Sequence, residues 1–153
     1  MPNRSPSGQP SSKPRIVEKG LSYAIVGCFF AVYNELGYGF NESVYAKALQ
    51  VALEQIGIRV EREVLVEVVF RGVVVGKFRI DMLVEGRVIV ELKSTERLAD
   101  ASKRQVRNQL SAAHLELGLL VHFGPKAEYH RILRPRGANP EEIDSAHSMD
   151  SDE

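Results

Sequence analysis

The feature of this sequence that most constrains its fold is a β-branched, alternating stretch in the middle of the chain. It divides into three predicted strands at residues 60–70, 73–84 and 87–93, separated by two short turns that each contain a glycine. Alternating apolar and polar residues are typical of strands, and turns of this length join antiparallel neighbours. The stretch therefore predicts a β-meander.

Helical periodicity flanks this meander on both sides. Asn41 and Asp100 each precede an apolar stripe, and the side chain of each can cap a helix. The predicted helices are 16–36, 41–57 and 101–115, and two further strands follow at 119–123 and 129–133. The element order ααβββαββ predicts a single small α/β (α+β) domain.

The two ends of the chain differ in composition from its middle. Residues 1–14 are rich in Pro, Ser and Gly, and residues 137–153 are acidic, so both are predicted to be disordered and residues 15–136 to form the domain. Lys plus Arg and Asp plus Glu both number 20, so the net charge gives no global attraction to nucleic acid or membrane. The sequence has neither an apolar signal segment nor a run of about 18 apolar residues, which predicts a cytoplasmic protein that does not enter a membrane.

Three charged residues interrupt one hydrophobic strand pair. Asp81 lies on the second strand of the meander, and Glu91 and Lys93 lie on the third. Glu91 and Lys93 are two residues apart, so they point to the same face of a strand. A solvated sheet face would explain such a pair, but residues 88–92 are nearly all apolar, as in a strand buried on both faces. Charges buried there need partners, which indicates a functional cluster.

Whether Asp81 joins this cluster depends on the length of the turn between the two strands. A two-residue loop at 85–86 would place Asp81 opposite Val90 and direct its side chain away from Glu91. A three-residue loop at 85–87 places Asp81 opposite Glu91, with the two Cβ atoms roughly 5 Å apart on one face. We predict the three-residue loop.

Two carboxylates held this close repel each other unless a cation or a proton lies between them. Oxygen ligands that leave room for water suit Mg²⁺ or Mn²⁺, whereas Zn²⁺ normally calls for His or Cys. The four histidines of the chain have no ligand spacing. The residues therefore predict a Mg²⁺ (or Mn²⁺) site.

Two motifs now give the sequence a resemblance to a known family. The segment 39–45, GFNESVY, resembles the motif that names the GxxExxY proteins, and Asp81 with the later run Glu91-Leu92-Lys93 is similar to the signature of the PD-(D/E)XK nuclease superfamily to which they belong. The resemblance extends from about residue 21 to residue 124. It implies a restriction-endonuclease-like mixed sheet flanked by helices, with a metal-dependent phosphodiesterase site.

The resemblance also implies roles for individual residues. Asp81 and Glu91 would be metal ligands, with the main-chain carbonyl of Leu92 as a further ligand. Lys93 would orient or activate the attacking water and stabilise developing charge on the phosphate. Glu42 lies on the helical face of Tyr45 and is expected on the buried side, as a third acidic group near the metal. Its alternative role is that of a first-turn glutamate favourable to the helix dipole.

The third helix supplies the remaining candidates. Gln105 matches a glutamine that in related nucleases helps to place water or substrate, although an exposed helical Gln is an ordinary alternative. Gln109 stands where an aromatic residue often follows that glutamine. Lys103 and Arg107 are one turn apart on one face and are available to nucleic-acid phosphates, or they form a solvated helix face.

These observations favour a Mg²⁺-dependent nuclease-like phosphodiesterase acting on DNA or RNA, in which metal-activated water attacks phosphorus. The alternative is a non-catalytic nucleic-acid or protein-binding module that retains the nuclease fold. A third hypothesis is a homodimer formed through the apolar helix 16–36, whose residues Phe29, Phe30 and Tyr33 would exceed what the core can bury.

Overall fold

The structure, a computed structural model, describes residues 14–135, with side chains from residue 19 onward. The predicted element order is confirmed. The elements are α1 (Pro14–Leu36), α2 (Glu42–Gln55), β1 (Val60–Phe70), β2 (Val73–Val84), β3 (Val88–Lys93), α3 (Asp100–Ala113), β4 (Leu117–Phe123) and β5 (Ala127–Leu133). Apart from Pro14, the predicted leader 1–14 and the tail 137–153 lie outside the described residues, so the domain boundaries stay predictions.

The five strands form one mixed sheet in the order β1-β2-β3-β4-β5. All neighbours are antiparallel except β3 and β4, which are parallel. Parallel neighbours need a crossover connection, and α3 supplies it. This arrangement places β3 at the centre of the sheet, where Val88–Leu92 are all buried.

Helices cover both faces of the sheet. On one face α1 and α2 pack against a core cluster that includes Val88, Val90 and Leu92 of β3. On the other face α3 packs against a smaller cluster that includes Ile89 of β3. Successive side chains of a strand point to opposite faces, so Glu91 and Lys93 share the α3 side with Ile89.

The two predicted helix caps have different outcomes. Asn41 caps α2, because its Oδ1 accepts a hydrogen bond from the Val44 N–H at 3.2 Å. The prediction that Asp100 caps α3 is wrong by one residue. The N-cap position is Ala99, which has no side-chain acceptor, and Asp100 lies inside the first turn, where its charge still favours the helix dipole.

The aromatic residues of α1 are largely used inside the chain. Phe29 is fully buried and packs edge-on against Phe123 with ring centroids 4.8 Å apart. The Tyr33 hydroxyl donates to the Gly124 carbonyl at 2.7 Å. Phe30, 36% exposed, packs against Tyr129. These contacts provide partners for the side chains on which the homodimer hypothesis depended, and the homodimer stays a prediction.

The sequence also predicts that the protein does not enter a membrane. Between residues 14 and 135, no helix is both long enough and apolar enough to cross a membrane. The cytoplasmic location stays a prediction.

Close packing of α3 on the sheet depends on Gly118 of β4. A Cβ atom there would lie 2.5 Å from Val106 Cγ1, a distance that forces the helix or the strand to move. Gly118→Ala should therefore lower the free energy of unfolding by about 1–3 kcal/mol, as overpacked cores do. Urea denaturation measures this change.

Gly27 provides the matched control for that substitution. It lies within α1, and a Cβ atom at this position would meet no atom within 4 Å. Gly27→Ala should stabilise the protein by about 0.5–1 kcal/mol, because alanine is the better helix former. Equal effects at the two positions would contradict a close approach of α3 at Gly118.

Candidate active site

The β2–β3 turn determines which residues face each other at the candidate site. Met82 pairs with Val90 and Val84 pairs with Val88, so the loop consists of the three residues 85–87, as predicted. Both Glu85 and Gly86 have positive φ, at 53° and 64°, as a tight reversal requires. The β2–β3 pairs end at Met82 and Val90, so Asp81 and Glu91 come next on their strands.

The carboxylate of Asp81 occupies the position where the two strands separate. Its Oδ2 accepts a hydrogen bond from the Leu92 N–H at 3.2 Å, a donor that a regular ladder would pair with a carbonyl of β2. Leu92 is buried on the α2 side of the sheet. Asp81 thus holds the end of β3 with its side chain.

A kink in the sheet accompanies this change of partner. Glu63, which stands opposite Asp81 in the β1–β2 register, has φ 53°, and these two residues do not pair. Ile80 packs in the cluster on the α3 side, whereas Met82 packs in the cluster on the α1 and α2 side. Ile80 and Met82 are two residues apart and would face the same side of a regular strand, but here they face opposite helical layers.

Glu91 is buried inside the sheet, with 3% of its surface exposed. The Lys93 Nζ lies 3.4 Å from its Oε1, and the Gln109 Nε2 donates to its Oε2 at 3.4 Å. Burial and, after it, the nearby Asp81 charge raise the pKa of Glu91 to about 7, although Lys93 and Gln109 act in the opposite direction. The two carboxylates are thus close enough to repel each other.

Glu42 lies at the first turn of α2 and is exposed, so the expectation that it faces the buried side is wrong. The helix buries Tyr45 against the sheet, but its first turn projects beyond the core. Glu42 and Asp81 line one small cleft of about 220 Å³, which also contains Leu92 and Arg62. Glu91 does not line that cleft; its side-chain partners are Lys93 on its own strand and Gln109 on α3.

The three carboxylates therefore do not converge on one point as the sequence suggested. In residues 14–135, no group of three His, Cys, Asp or Glu side chains is placed to hold one metal ion. Asp81 and Glu91 offer carboxylate oxygens and Leu92 a carbonyl oxygen, the type of donor that suits a small hard cation. Mg²⁺ is commonly held by one or two carboxylates while it keeps several waters.

The glutamine that contacts the buried acid is Gln109, not Gln105. Gln105 is exposed on α3, whereas Gln109, one turn later, is 2% exposed and bonded to Glu91. Sequence reasoning did not assign Gln109 a role. A signal was present, because Gln109 follows Val106 by three residues on the inner face of the helix.

Lys103 and Arg107 lie together, as their spacing predicts. Both line a shallow cleft against β5, together with Tyr129 and His130. The Lys103 charge is close enough to contribute to a lowered pKa of His130, after the larger effect of burial. This face of α3 carries positive charge next to the sheet.

Tyr45 ties the loop between α1 and α2 to the candidate site. Its ring stacks on Phe123 with centroids 4.0 Å apart, and its hydroxyl donates to the Gly37 carbonyl and accepts from the Phe40 N–H. The Phe40 carbonyl in turn accepts a hydrogen bond from Ser94, the residue after Lys93. The loop thus holds the strand end that carries Lys93.

A mixed sheet between helical layers, with Asp, Glu and Lys at the end of its central hairpin, defines a nuclease-like domain. The chain belongs to the PD-(D/E)XK nuclease superfamily, because a sequence model of that superfamily matches residues 19–132. The fold is similar to the crystal structure of SSO0001, with a TM-score of 0.50, 18% identity, and coverage of 90% of this chain and 70% of that one. No curated protein matches the sequence.

The raised pKa of Glu91 predicts how stability changes with pH. A carboxylate whose pKa rises from 4.5 to about 7 on folding stabilises the fold below pH 4.5, and this stabilisation is lost as the pH rises through 7. In EDTA the parent should lose on the order of 2–3 kcal/mol between pH 4.5 and 8 relative to Glu91→Gln. Urea melts across that range measure the difference.

The exposed Glu35→Gln provides the control, because removing a charge that has no buried neighbours should leave the pH dependence as in the parent. If the free energies of unfolding of Glu91→Gln and the parent change in parallel with pH, folding does not raise the pKa of Glu91, which contradicts a buried carboxylate repelled by Asp81.

Proposed function

We propose that this protein is a Mg²⁺-dependent (or Mn²⁺-dependent) nuclease-like phosphodiesterase, and that it belongs to the GxxExxY proteins within its superfamily. The observation that carries the proposal is Glu91, a buried carboxylate whose pKa is raised by burial and by Asp81, with Lys93 3.4 Å away. Acids with strongly perturbed pKa values cluster at functional sites. A fold gains nothing in stability from two carboxylates that repel each other.

The side chains of Asp81 and Glu91 and the carbonyl of Leu92 would hold the cation. The cation supplies a water of lowered pKa and neutralises charge on the phosphoryl oxygens. Asp81 is already oriented by its bond from the Leu92 N–H, and Glu91 by Lys93 and Gln109. Ligands fixed in this way need little reorganisation to bind.

Lys93 has two roles in this arrangement. Its side chain is 24% exposed, so the lysine is paired with Glu91 and still reachable from solvent. A compact cation at this position can orient the attacking water and stabilise the charge that develops on the phosphate. Glu42, exposed across the cleft from Asp81, would hold a water or a second cation, and Gln105 would contact the substrate strand.

The substrate class proposed is nucleic acid, DNA or RNA. Lys103 and Arg107 share one cleft, so they can contact consecutive phosphates of a strand without reading its sequence. Their contribution to binding should weaken with salt, because each phosphate contact releases counterions.

One observation favours the alternative, a binding module that retains the nuclease fold without catalysis. In the part of the chain that the structure describes, no three His, Cys, Asp or Glu side chains are placed to hold one metal ion. Cleavage assays on linear, circular and single-stranded nucleic acid, with Mg²⁺, Mn²⁺ or EDTA, separate the two functions. Binding without cleavage in any metal would favour the module.

The first functional prediction concerns Lys93. Lys93→Ala should abolish cleavage while leaving Mn²⁺ binding, measured by calorimetry, largely unchanged, because the ammonium group is not a metal ligand. Lys47→Ala, at an exposed lysine in the groove between α1 and α2, is the control and should cleave like the parent. Cleavage at the parent rate by Lys93→Ala would remove this lysine from the mechanism.

The second functional prediction uses Asp81→Asn to separate a metal ligand from a structural acid. The amide oxygen can still accept from Leu92, and repulsion with Glu91 is removed, so in EDTA this variant should be at least as stable as the parent. Mg²⁺ or Mn²⁺ at a hundred times its Kd should stabilise the parent by about 2.7 kcal/mol, and Asp81→Asn should lose most of that gain.

Thermal and urea melts in EDTA and in each metal test this prediction, with Glu35→Gln as the control for loss of an exposed acid. A structural Asp81 gives the opposite result. Its neutralisation would then cost about 3–5 kcal/mol in EDTA, because a buried partner is left unpaired, and neither protein would respond to metal.

A further inference from the structure

A larger cleft, of about 900 Å³, lies between α3 and the hairpin formed by β1 and β2. One wall is the face of α3 opposite to Lys103 and Arg107, and the other wall comes from the hairpin. The residues of the two walls on which the argument rests are Arg104, Gln105, Asn108, Val68, Val69 and Phe78. The proposed catalytic chemistry does not use this cleft.

Gln109 lies between the cleft and the candidate active site. This residue lines the cleft and also bonds to Glu91. Gln109 is 2% exposed, and its Oε1 is buried without a hydrogen-bond partner among the described residues. Buried polar atoms normally have a partner, so an unpaired amide oxygen at this position indicates that a ligand or ordered water completes the site.

The chemistry of the walls fits a nucleobase. Val68, Val69 and the ring of Phe78 offer apolar and aromatic surface against which a base can stack. Gln105 and Asn108 offer amide groups, which both donate and accept hydrogen bonds, as the edges of bases do.

The charges of the cleft fit the phosphate of the same nucleotide. Arg104 supplies positive charge at the exposed wall. Glu67 also lines the cleft, and Lys77 stands directly opposite it in the β1–β2 ladder, so its charge has a partner of opposite sign. A volume of about 900 Å³ is in the range of pockets that enclose one small organic ligand, and so holds one or two nucleotides.

We propose that this cleft binds unpaired bases of the nucleic-acid strand next to the bond that is cut, so that the substrate is single-stranded or frayed and not a continuous duplex. The inference rests on the proposed function. Bases inside a duplex are stacked and paired, and a concave cleft closed by a hairpin on one side can receive them only after they leave the stack. An unpaired strand meets no such cost.

The test measures binding separately from cleavage, by fluorescence anisotropy in EDTA. The probes are a labelled single-stranded oligonucleotide and the blunt duplex of the same sequence. The parent should bind the single strand roughly tenfold or more tightly than the duplex. Asn108→Ala and Arg104→Ala should each weaken single-strand binding by about three- to tenfold and leave duplex binding unchanged.

A substitution that fills the cleft provides a second, independent variant. Ser111 is exposed on α3 and lines the cleft, so Ser111→Trp should block it without disturbing the core and weaken single-strand binding by about tenfold or more. Two controls lie at exposed positions away from the cleft. Arg87→Ala matches Arg104→Ala in the charge lost, and Val51→Trp matches Ser111→Trp in the ring added. Circular dichroism confirms that each variant is folded.

The outcomes separate this inference from the proposed function. Equal affinity for the two probes, or single-strand binding that Ser111→Trp leaves intact, overturns the inference even if the protein cleaves and needs Lys93. Single-strand binding that depends on Ser111, Asn108 and Arg104 supports base binding in the cleft. It does so even if no metal produces cleavage, in which case the catalytic proposal alone fails.

Discussion

The interaction on which the rest of the site depends is the burial of Glu91 in a strand covered on both faces. A lone carboxylate in that position would be costly. Lys93, on the same strand, reduces this cost, and Gln109 reduces it further while α3 stays in contact with the sheet. That contact requires Gly118, the point where β4 makes room for Val106. The packing of α3 therefore determines whether the buried acid keeps its glutamine partner.

A second constraint comes from Tyr45, whose contacts hold the loop between α1 and α2 in place. It is fully buried, stacks on Phe123, and holds the loop that contains Gly39, where φ is 120° and a side chain would be strained. Through Phe40 the loop reaches Ser94. The glycine and tyrosine of the 39–45 motif thus fix the strand end beside Lys93, while Glu42 between them is free to face solvent.

The sequence predicted the features that depend on residues close together in the chain. It did not predict the features that depend on how a helix packs on the sheet. The element order and the three-residue loop at 85–87 follow from periodicity and turn chemistry, and the structure has both. The exposure of Glu42 depends on where α2 begins relative to the sheet. The choice between Gln105 and Gln109 depends on the rotation of α3 about its axis, and four residues on a helix differ by about 40°. Neither quantity is encoded in spacing alone.

The kink at Glu63 and Asp81 connects these features. On the side of the kink nearer β3, the even-numbered residues Val60, Met82 and Val84 face α1 and α2. On its far side, the even-numbered residues of β1 and β2 face α3 instead. The hairpin beyond the kink therefore lies over α3 and closes the large cleft, while at the kink itself the β2–β3 ladder ends and leaves the Leu92 N–H to Asp81. Glu63 holds a left-handed conformation that is costly for a residue with a side chain, and such strain concentrates at functional sites. One irregularity of the backbone thus accompanies both the contact of Asp81 with Leu92 and the cleft on the α3 side, so a substitution that regularised β1 should alter the two together.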